Sequence, residues 1–203
     1  MKKTLLAVLL ASAPFTTMAA ASSAGHVDVY YSDANAEATT GGLSGDVDGD
    51  GFGIRGAAKF TDQAFVFGEY QNTEYDDAAD LEIQQIRAGL GYLFSSSAEL
   101  DLYGKVEFLN FEAEASGTGS SDDNGWGVHG GIAFMPAPEF RLFGELGYVD
   151  VGDSDGPEYN IGASYNFTPQ FGAVVNYRVT DLDIDGGDEL ELSDLQVGVR
   201  FNF

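Results

Sequence analysis

The sequence predicts an all-β fold, an antiparallel, transmembrane, up-and-down β-barrel of ten strands, with eight strands as the alternative. Three observations predict it. Apolar segments that end in phenylalanine repeat along the chain, apolar and polar residues alternate within each segment, and aromatic residues stand at both ends of the segments. The chain has 203 residues, which is enough for one domain of this kind.

The repeat defines the predicted hairpins. The five segments end at Phe60, Phe94, Phe134, Phe167 and Phe203. A short polar turn and a second alternating segment follow each of the first four. Intervals of 33 to 40 residues suit two long strands with their loops, although propeller blades have a similar period. We predict rising strands at 26–33, 64–74, 98–112, 139–150 and 170–185, and descending strands at 51–60, 82–94, 125–134, 158–167 and 189–203.

Alternation places the charged residues on one face of each predicted strand. In residues 195–203 the odd-numbered positions are apolar, and the even-numbered positions hold polar residues or glycine. An arginine or lysine that faces lipid at the bilayer midplane costs about 2–4 kcal/mol, so the polar faces should line the lumen. We expect ion pairs in the lumen among Arg55, Lys59, Glu69, Arg87, Lys105, Glu107, Arg141, Glu145, Arg178 and Arg200.

Aromatic residues form two predicted rings. One ring accompanies the short turns, at Phe60, Phe94, Phe134, Phe140, Phe167, Phe171 and Phe203. The other accompanies the loops, at Tyr31, Phe52, Tyr70, Phe108, Trp126, Tyr148, Tyr159 and Tyr177. A water-soluble sandwich would bury its apolar face and would not need aromatic residues at both strand ends. The rings therefore favour a barrel in a lipid bilayer over a sandwich or a propeller.

Residues 1–21 are predicted to be a secretory signal peptide, which leaves 22–203 as the barrel domain. Lys2 and Lys3 precede a short apolar run, and small residues follow it at 19–21. The apolar run is far shorter than the roughly 20 residues of a spanning helix. The chain has no cysteine, which excludes disulfides and thiolate sites. Seven basic residues remain against 33 acidic ones, which excludes nucleic acid as a partner.

Acidic residues cluster in the predicted loops opposite the short turns. The run that starts Asp46-Val-Asp48-Gly-Asp50 resembles the opening of a calcium-binding loop. Ala57 stands where the twelfth position needs an acidic ligand, which excludes an EF-hand. A looser Ca²⁺ or Mg²⁺ site remains open, because barrel closure pairs the last strand with the first. Its candidate ligands are Asp46, Asp48, Asp50, Asp181, Asp183 and Asp185, and no other cofactor is expected.

The last hairpin is predicted to project beyond the membrane. Residues 186–188 suit a three-residue turn with glycine available for positive φ. Like charges would then lie opposite each other, which is destabilising, so either solvent screening or a bound divalent cation should compensate. The predicted pairs are Ile184 with Leu190, Leu182 with Leu192, Asp183 with Glu191, and Asp185 with Glu189.

The C-terminal residues carry a family resemblance. Residues 196–203 follow the pattern polar, any, Gly, any, any, aromatic, any, aromatic, with Gln196, Gly198, Phe201 and Phe203 at the defined positions. This pattern resembles the signal that barrel-assembly machinery reads. With the signal peptide, the mature chain resembles the small outer-membrane barrels of the OmpX, Ail and opacity-protein kind in Gram-negative bacteria. The resemblance implies insertion by that machinery, dependence of assembly on Phe203, and contact with outer-membrane lipid and lipopolysaccharide. Those relatives usually have eight strands, whereas ten are counted here.

The sequence shows no catalytic constellation. His26 should lie near the short turns and His129 on the lumen face, and neither has a serine and an acid nearby at the loop end. We therefore expect no enzyme, but a monomeric barrel that contributes to envelope structure and presents an acidic extracellular surface. A narrow passive pore and an adhesin are the alternatives. Long charged side chains would leave a ten-stranded lumen little open width, which disfavours the pore.

Overall fold

In the computed structural model the chain is a closed antiparallel barrel. The structure describes residues 24–75, 81–115, 119–184 and 187–203, so the predicted signal peptide lies outside the described residues. None of the described residues belongs to a helix long and apolar enough to cross a membrane. The strands are β1 (Gly25–Thr40), β2 (Leu43–Lys59), β3 (Ala64–Tyr75), β4 (Leu81–Ser96), β5 (Leu100–Ala115), β6 (Gly119–Ala137), β7 (Phe140–Val151), β8 (Ser154–Asn166), β9 (Phe171–Ile184) and β10 (Asp188–Asn202).

Each strand pairs with its neighbours in sequence, and β1 pairs with β10 to close the barrel. This confirms the ten-stranded up-and-down fold, and the eight-stranded alternative is wrong. The pairing of Val27 with Phe201 and of Val29 with Val199 joins the first and last strands near the C terminus. Closure leaves no free sheet edge, which a barrel in lipid requires because lipid offers no hydrogen bonds.

We call the end of the barrel with the four short turns the turn end, and the opposite end the acidic end. Residues 60–63, 97–99, 138–139 and 167–170 connect the strands at the turn end. Of the seven phenylalanines predicted there, six are exposed on the outside and Phe140 is half-buried. All eight aromatic residues predicted for the other ring are exposed as well. Between the two rings the outer surface is a belt of exposed apolar side chains, such as Val106 and Ile161.

The strands at the acidic end are longer than the sequence predicts. β1 continues to Thr40, and β2 begins at Leu43, so the loop predicted at 34–50 is a hairpin. Gly41 and Gly42 have φ of 60° and 82°, the pair of positive values that a two-residue type I′ turn requires. The membrane thickness does not limit the strand length here, because apolar side chains pack against one another inside this extension. The strands therefore do not need lipid around them.

The last hairpin is also paired differently from the prediction. Leu190 lies opposite Leu182 and Glu189 opposite Asp183, so pairing continues to Ile184 and Asp188, and the predicted turn at 186–188 is wrong. Gly187 has φ of 90° and donates its N–H to the carbonyl of Ile184 at 3.1 Å, which places the left-handed residue last in the turn. This is the position where a three-residue hairpin loop requires it. The predicted pair of Asp185 with Glu189 is wrong as well, because Glu189 pairs with Asp183.

Candidate functional site

The lumen holds all seven basic residues that follow the predicted signal peptide. Six of them form ion pairs there, with Lys59 as the exception among the described residues. Seven carboxylates meet these six cations, and they belong to Asp28, Glu69, Asp101, Glu107, Glu145, Glu158 and Asp194. The charges of the lumen therefore come close to cancelling, as a region of low dielectric constant requires.

Arg87 is the central cation of these contacts. Its Nη1 donates to Glu107 at 3.1 Å and to Glu158 at 2.9 Å, and its Nη2 donates to Glu158 at 2.7 Å. Thr180 donates its hydroxyl to the same Glu158 carboxylate at 2.8 Å. These contacts join β4, β5, β8 and β9 across the barrel. The bidentate pair between Arg87 and Glu158 has the geometry of a strong charge-assisted hydrogen bond.

A second group of contacts joins β1, β3, β9 and β10. Arg178 contacts Glu69 at 3.1 Å and Asp194 at 3.5 Å. Tyr30 donates its hydroxyl to Glu69 and lies within 3.1 Å of Gln71 Oε1, which also accepts from Arg178 at 2.8 Å. We call the contacts around Arg87 and Arg178 the lumen lattice. Side chains of the lattice span the lumen, so they close it at mid-height.

The predicted set of ion-pair residues lacks Asp28 and Asp101. It also lacks Glu158 and Asp194. Glu158 stands at the start of a predicted strand, where its face was undefined, yet it shares parity with Asn160 and Ser164, which also face the lumen. Asp194 has the parity of Gln196 and Arg200. Parity along the strand could have identified both residues. Their partners could not be identified, because partners across a barrel depend on its shear.

Glu107, His129 and Glu158 form a buried group whose ligand atoms lie within 4.8 Å of one another. His129 Nε2 lies 2.9 Å from Glu107. Two carboxylates and an imidazole could hold a metal ion. Arg87 already supplies a cation to both carboxylates, however, so the group is satisfied by the protein itself. His26 is at the start of β1 at the turn end, as predicted.

An apolar cluster fills the barrel at the acidic end, and we call it the apolar cap. Its buried residues form two groups in contact with the same side chains of Phe111 and Leu190. The groups consist of Ala34, Ala36, Tyr75 and Leu192, and of Leu109, Val149, Val151 and Leu182. The cap lies beyond the lumen lattice, so two groups of buried side chains follow each other along the axis of the lumen.

Outward-facing carboxylates surround the apolar cap, and we call them the acidic collar. They lie on strands, so the prediction that they stand in loops is wrong for most of them; Asp153 is in a turn, and 76–80 and 185 lie outside the described residues. Directly paired positions form rows. One row is Asp181, Glu191, Glu37 and Asp46, and another is Asp33, Asp50, Glu74, Glu82 and Glu114.

The positions of the collar carboxylates determine which of the candidate ligands could contact the same divalent cation. Asp46 and Asp181 are separated by Glu37 and Glu191, so they stand three strand spacings apart, roughly 14 Å. Calcium–oxygen distances are about 2.3–2.6 Å, so one ion cannot contact both residues. Asp46 and Asp181 lie on β2 and β9, which β1 and β10 separate. A cation held by neighbouring residues among Asp46, Asp48, Asp50, Asp181 and Asp183 stays a prediction.

The four residues of the predicted assembly signal also have structural contacts. Gln196 is fully buried, donates to Gln71 at 2.9 Å and accepts from Arg55 at 2.7 Å. A side chain at Gly198 would collide with the backbone of the first strand. Phe201 packs against the Phe171 ring at 5.3 Å. Phe203 is exposed, and its backbone exchanges two 3.0 Å hydrogen bonds with Gly25. Recognition of these residues during assembly stays a prediction.

Comparison with known proteins gives the family. The family model described as outer membrane protein beta-barrel domain matches residues 4–156. No curated protein sequence matches the chain. Among solved structures, Neisserial surface protein A is similar at 16% identity and a TM-score of 0.44, covering 89% of this chain and 98% of that one. The outer membrane protease OmpT of Escherichia coli has 12% identity and a TM-score of 0.49, covering 88% and 96%. The Ail protein of Yersinia pestis has 14% identity and a TM-score of 0.40, covering 87% and 99%. The chain belongs to the outer-membrane β-barrel family, and it is a ten-stranded barrel of the outer membrane of a Gram-negative bacterium.

Proposed function

We propose that the protein is a non-enzymatic, non-conducting barrel that reinforces the outer membrane and presents the acidic collar to the outside. The double closure of the lumen carries this proposal. At mid-height, Arg87 and Arg178 and their carboxylates are buried and paired across the barrel. At the acidic end, the apolar cap excludes water.

Each closure opposes the passage of solutes for a different reason. In the lattice, a solute must separate buried ion pairs, and leaving either partner unpaired in the protein interior is strongly unfavourable. In the cap, a hydrated ion must shed water in an apolar constriction, which is a known way of closing a channel. Leu109 and Val149 in the cap are 0% and 1% exposed. Both closures disfavour the narrow passive pore.

Planar lipid bilayers provide the test. The refolded protein, first shown to be folded by its heat-dependent gel mobility, should give no discrete conductance steps, and an open porin in the same bilayers is the positive control. The double variant Leu109→Ala/Leu182→Ala opens space in the apolar cap but leaves the lattice intact. It should also remain silent. Discrete steps from the wild-type protein would refute the proposal and favour the pore.

The proposal includes the partners that the surface suits. The exposed apolar belt would contact lipid acyl chains, and the collar lies next to the lipopolysaccharide headgroups. All seven basic residues of the mature chain are in the lumen, so the collar contains none. An adhesin would suit this surface only for a cationic partner. The two turns at this end that the structure describes in full have two residues each, at 41–42 and 152–153, and offer a receptor little loop surface.

A further inference from the structure

A cavity of about 1010 Å³ lies between the turn end and the lumen lattice. Residues of three of the four turns line its mouth, among them Ser97, Pro138 and Thr168. Glu69, Arg87, Glu158 and Arg178 of the lattice line it as well, and they form its roof. Ligand pockets typically measure roughly 300–1,000 Å³, so the cavity is large enough for a small molecule. Short turns of outer-membrane barrels face the periplasm, so the mouth opens there.

One wall of this cavity is aromatic, and it is formed by strands β3 to β7. Phe65, Phe67, Tyr103 and Phe143 line it. Each ring lies over a glycine of the next strand, where a side chain would collide with it; these glycines are Gly91, Gly89, Gly131 and Gly162. The rings therefore pack at the glycine positions of the wall, and Lys105 Nζ lies 4.9 Å from the centre of the Phe67 ring.

The opposite wall is polar and cationic, and it is formed by β1, β2 and β8 to β10. Arg55 and Arg200 both contact the carboxylate of Asp28, at 3.1 and 2.7 Å, and Asp28 is fully buried. Lys59 lies at the mouth and forms no ion pair with any described residue. Arg55 Nη2 is buried and has no hydrogen-bond partner among the described residues. Two of the three cations on this wall thus share one carboxylate and the third has none in the described part of the chain, whereas four carboxylates surround two cations at the roof.

We propose that this cavity binds a small amphipathic carboxylate from the periplasm. The carboxylate would contact Lys59 and the Arg55 side chain, whose Nη2 has no partner among the described residues, because hydrogen bonds between charged groups are strong. Arg200, which already donates to Asp28 and Ser164, would add positive charge nearby. The apolar body would pack against the rings of the aromatic wall. The inference goes beyond the proposed function, since a sealed barrel requires no such cavity. The roof excludes transport, so the cavity is a binding site that is closed at one end.

Fluorine NMR of para-fluorobenzoate tests the inference. The refolded protein in lipid nanodiscs should broaden the probe's signal, whereas empty nanodiscs should not. The neutral para-fluorobenzamide has the same ring and is the matched probe. Lys59→Gln and Arg55→Gln should each weaken benzoate binding on the order of tenfold, the usual effect of losing one charge-assisted contact. Lys59→Gln breaks no ion pair, so it should fold as the wild type does.

A third variant tests the effect of the cavity volume without changing any charge. Ala57 lies between Arg55 and Lys59 on the lumen face of β2, so Ala57→Phe fills the cavity and keeps every charge. This variant, with wild-type heat-dependent gel mobility, should lose binding. Equal broadening of the benzoate and the benzamide would overturn the inference. So would equal broadening by empty nanodiscs, or unchanged benzoate affinity in Ala57→Phe.

Discussion

Replacing Arg87 by alanine removes the central cation of the lumen lattice. The Arg87 side chain is 4% exposed and makes three hydrogen bonds of 2.7 to 3.1 Å to the carboxylates of Glu107 and Glu158. Without it, two buried carboxylates face each other. Breaking a buried ion pair on one side typically costs about 3–5 kcal/mol, and we expect a loss of that size in the free energy of unfolding.

Arg141→Ala is the matched control, because it removes the same side chain from a different environment. Arg141 is 36% exposed and contacts Asp101 at 3.6 Å through one nitrogen atom. Exposed pairs contribute about 0–1 kcal/mol. The two variants should therefore differ by about 2 kcal/mol or more. A third variant, Arg87→Ala/Glu158→Gln, should recover part of the loss because only one of the two carboxylates remains charged.

Urea unfolding of the refolded barrel in detergent measures these losses. Trp126 is the only tryptophan and is half-exposed on the outer surface, so its fluorescence reports on the barrel without a label. Linear extrapolation gives the free energy, and gel mobility with and without heating confirms the folded fraction. Equal losses in Arg87→Ala and Arg141→Ala would refute the buried lattice. A lumen full of water would then be the better description, and the pore would gain support.

Three further predictions use neighbouring or matched positions. Leu109→Ala in the apolar cap should lower the free energy of unfolding by about 2–5 kcal/mol, whereas Leu43→Ala, at a hairpin tip and 81% exposed, should change it little. Gly131→Ala pushes a methyl group into a lumen tyrosine ring and should cost about 1–3 kcal/mol, whereas Gly130→Ala meets open space and should be neutral in the same urea assay. Glu37→Gln removes the middle charge of a carboxylate row and should stabilise the barrel by about 0.2–1 kcal/mol at low salt. That gain should vanish at high salt, and its persistence there would contradict an electrostatic cause.

The sequence was sufficient to predict the fold and the face of each spanning strand. The repeat gave ten strands, and alternation placed the seven cations in the lumen, where the structure has them. Alternation works well in the spanning part, because lipid outside and polar side chains inside set a strong contrast. It does not determine which residues meet across the lumen. Arg87 and Glu158 are 71 positions apart, and only the three-dimensional stagger of the strands brings them together.

The acidic end was predicted poorly for a definite physical reason. Apart from the last hairpin, the predicted strands end near the membrane boundary, and the acidic residues beyond them are predicted to stand in loops. β1 continues there with its faces exchanged. Ala34 and Ala36 point inward and are buried, while Glu37 points outward. The same parity that is polar inside the membrane is apolar inside the extension. A pattern that requires each face of a strand to stay either polar or apolar therefore ends the strand at the membrane boundary.

This exchange of polarity locates the boundary of the membrane along each strand. On β9, Tyr177 is exposed to the outside and Arg178 is buried inside, whereas four positions later Asp181 is exposed and Leu182 is buried. Outside the barrel, lipid gives way to water, so apolar side chains give way to carboxylates. Inside, the polar lattice gives way to the apolar cap, because strands surrounded by water need an apolar core of their own. A barrel that changes in this way is closed toward the outside by the same residues that allow its strands to extend there. Among the described residues, the cavity that contains the cations of the lumen is lined at its mouth by residues of the turn end.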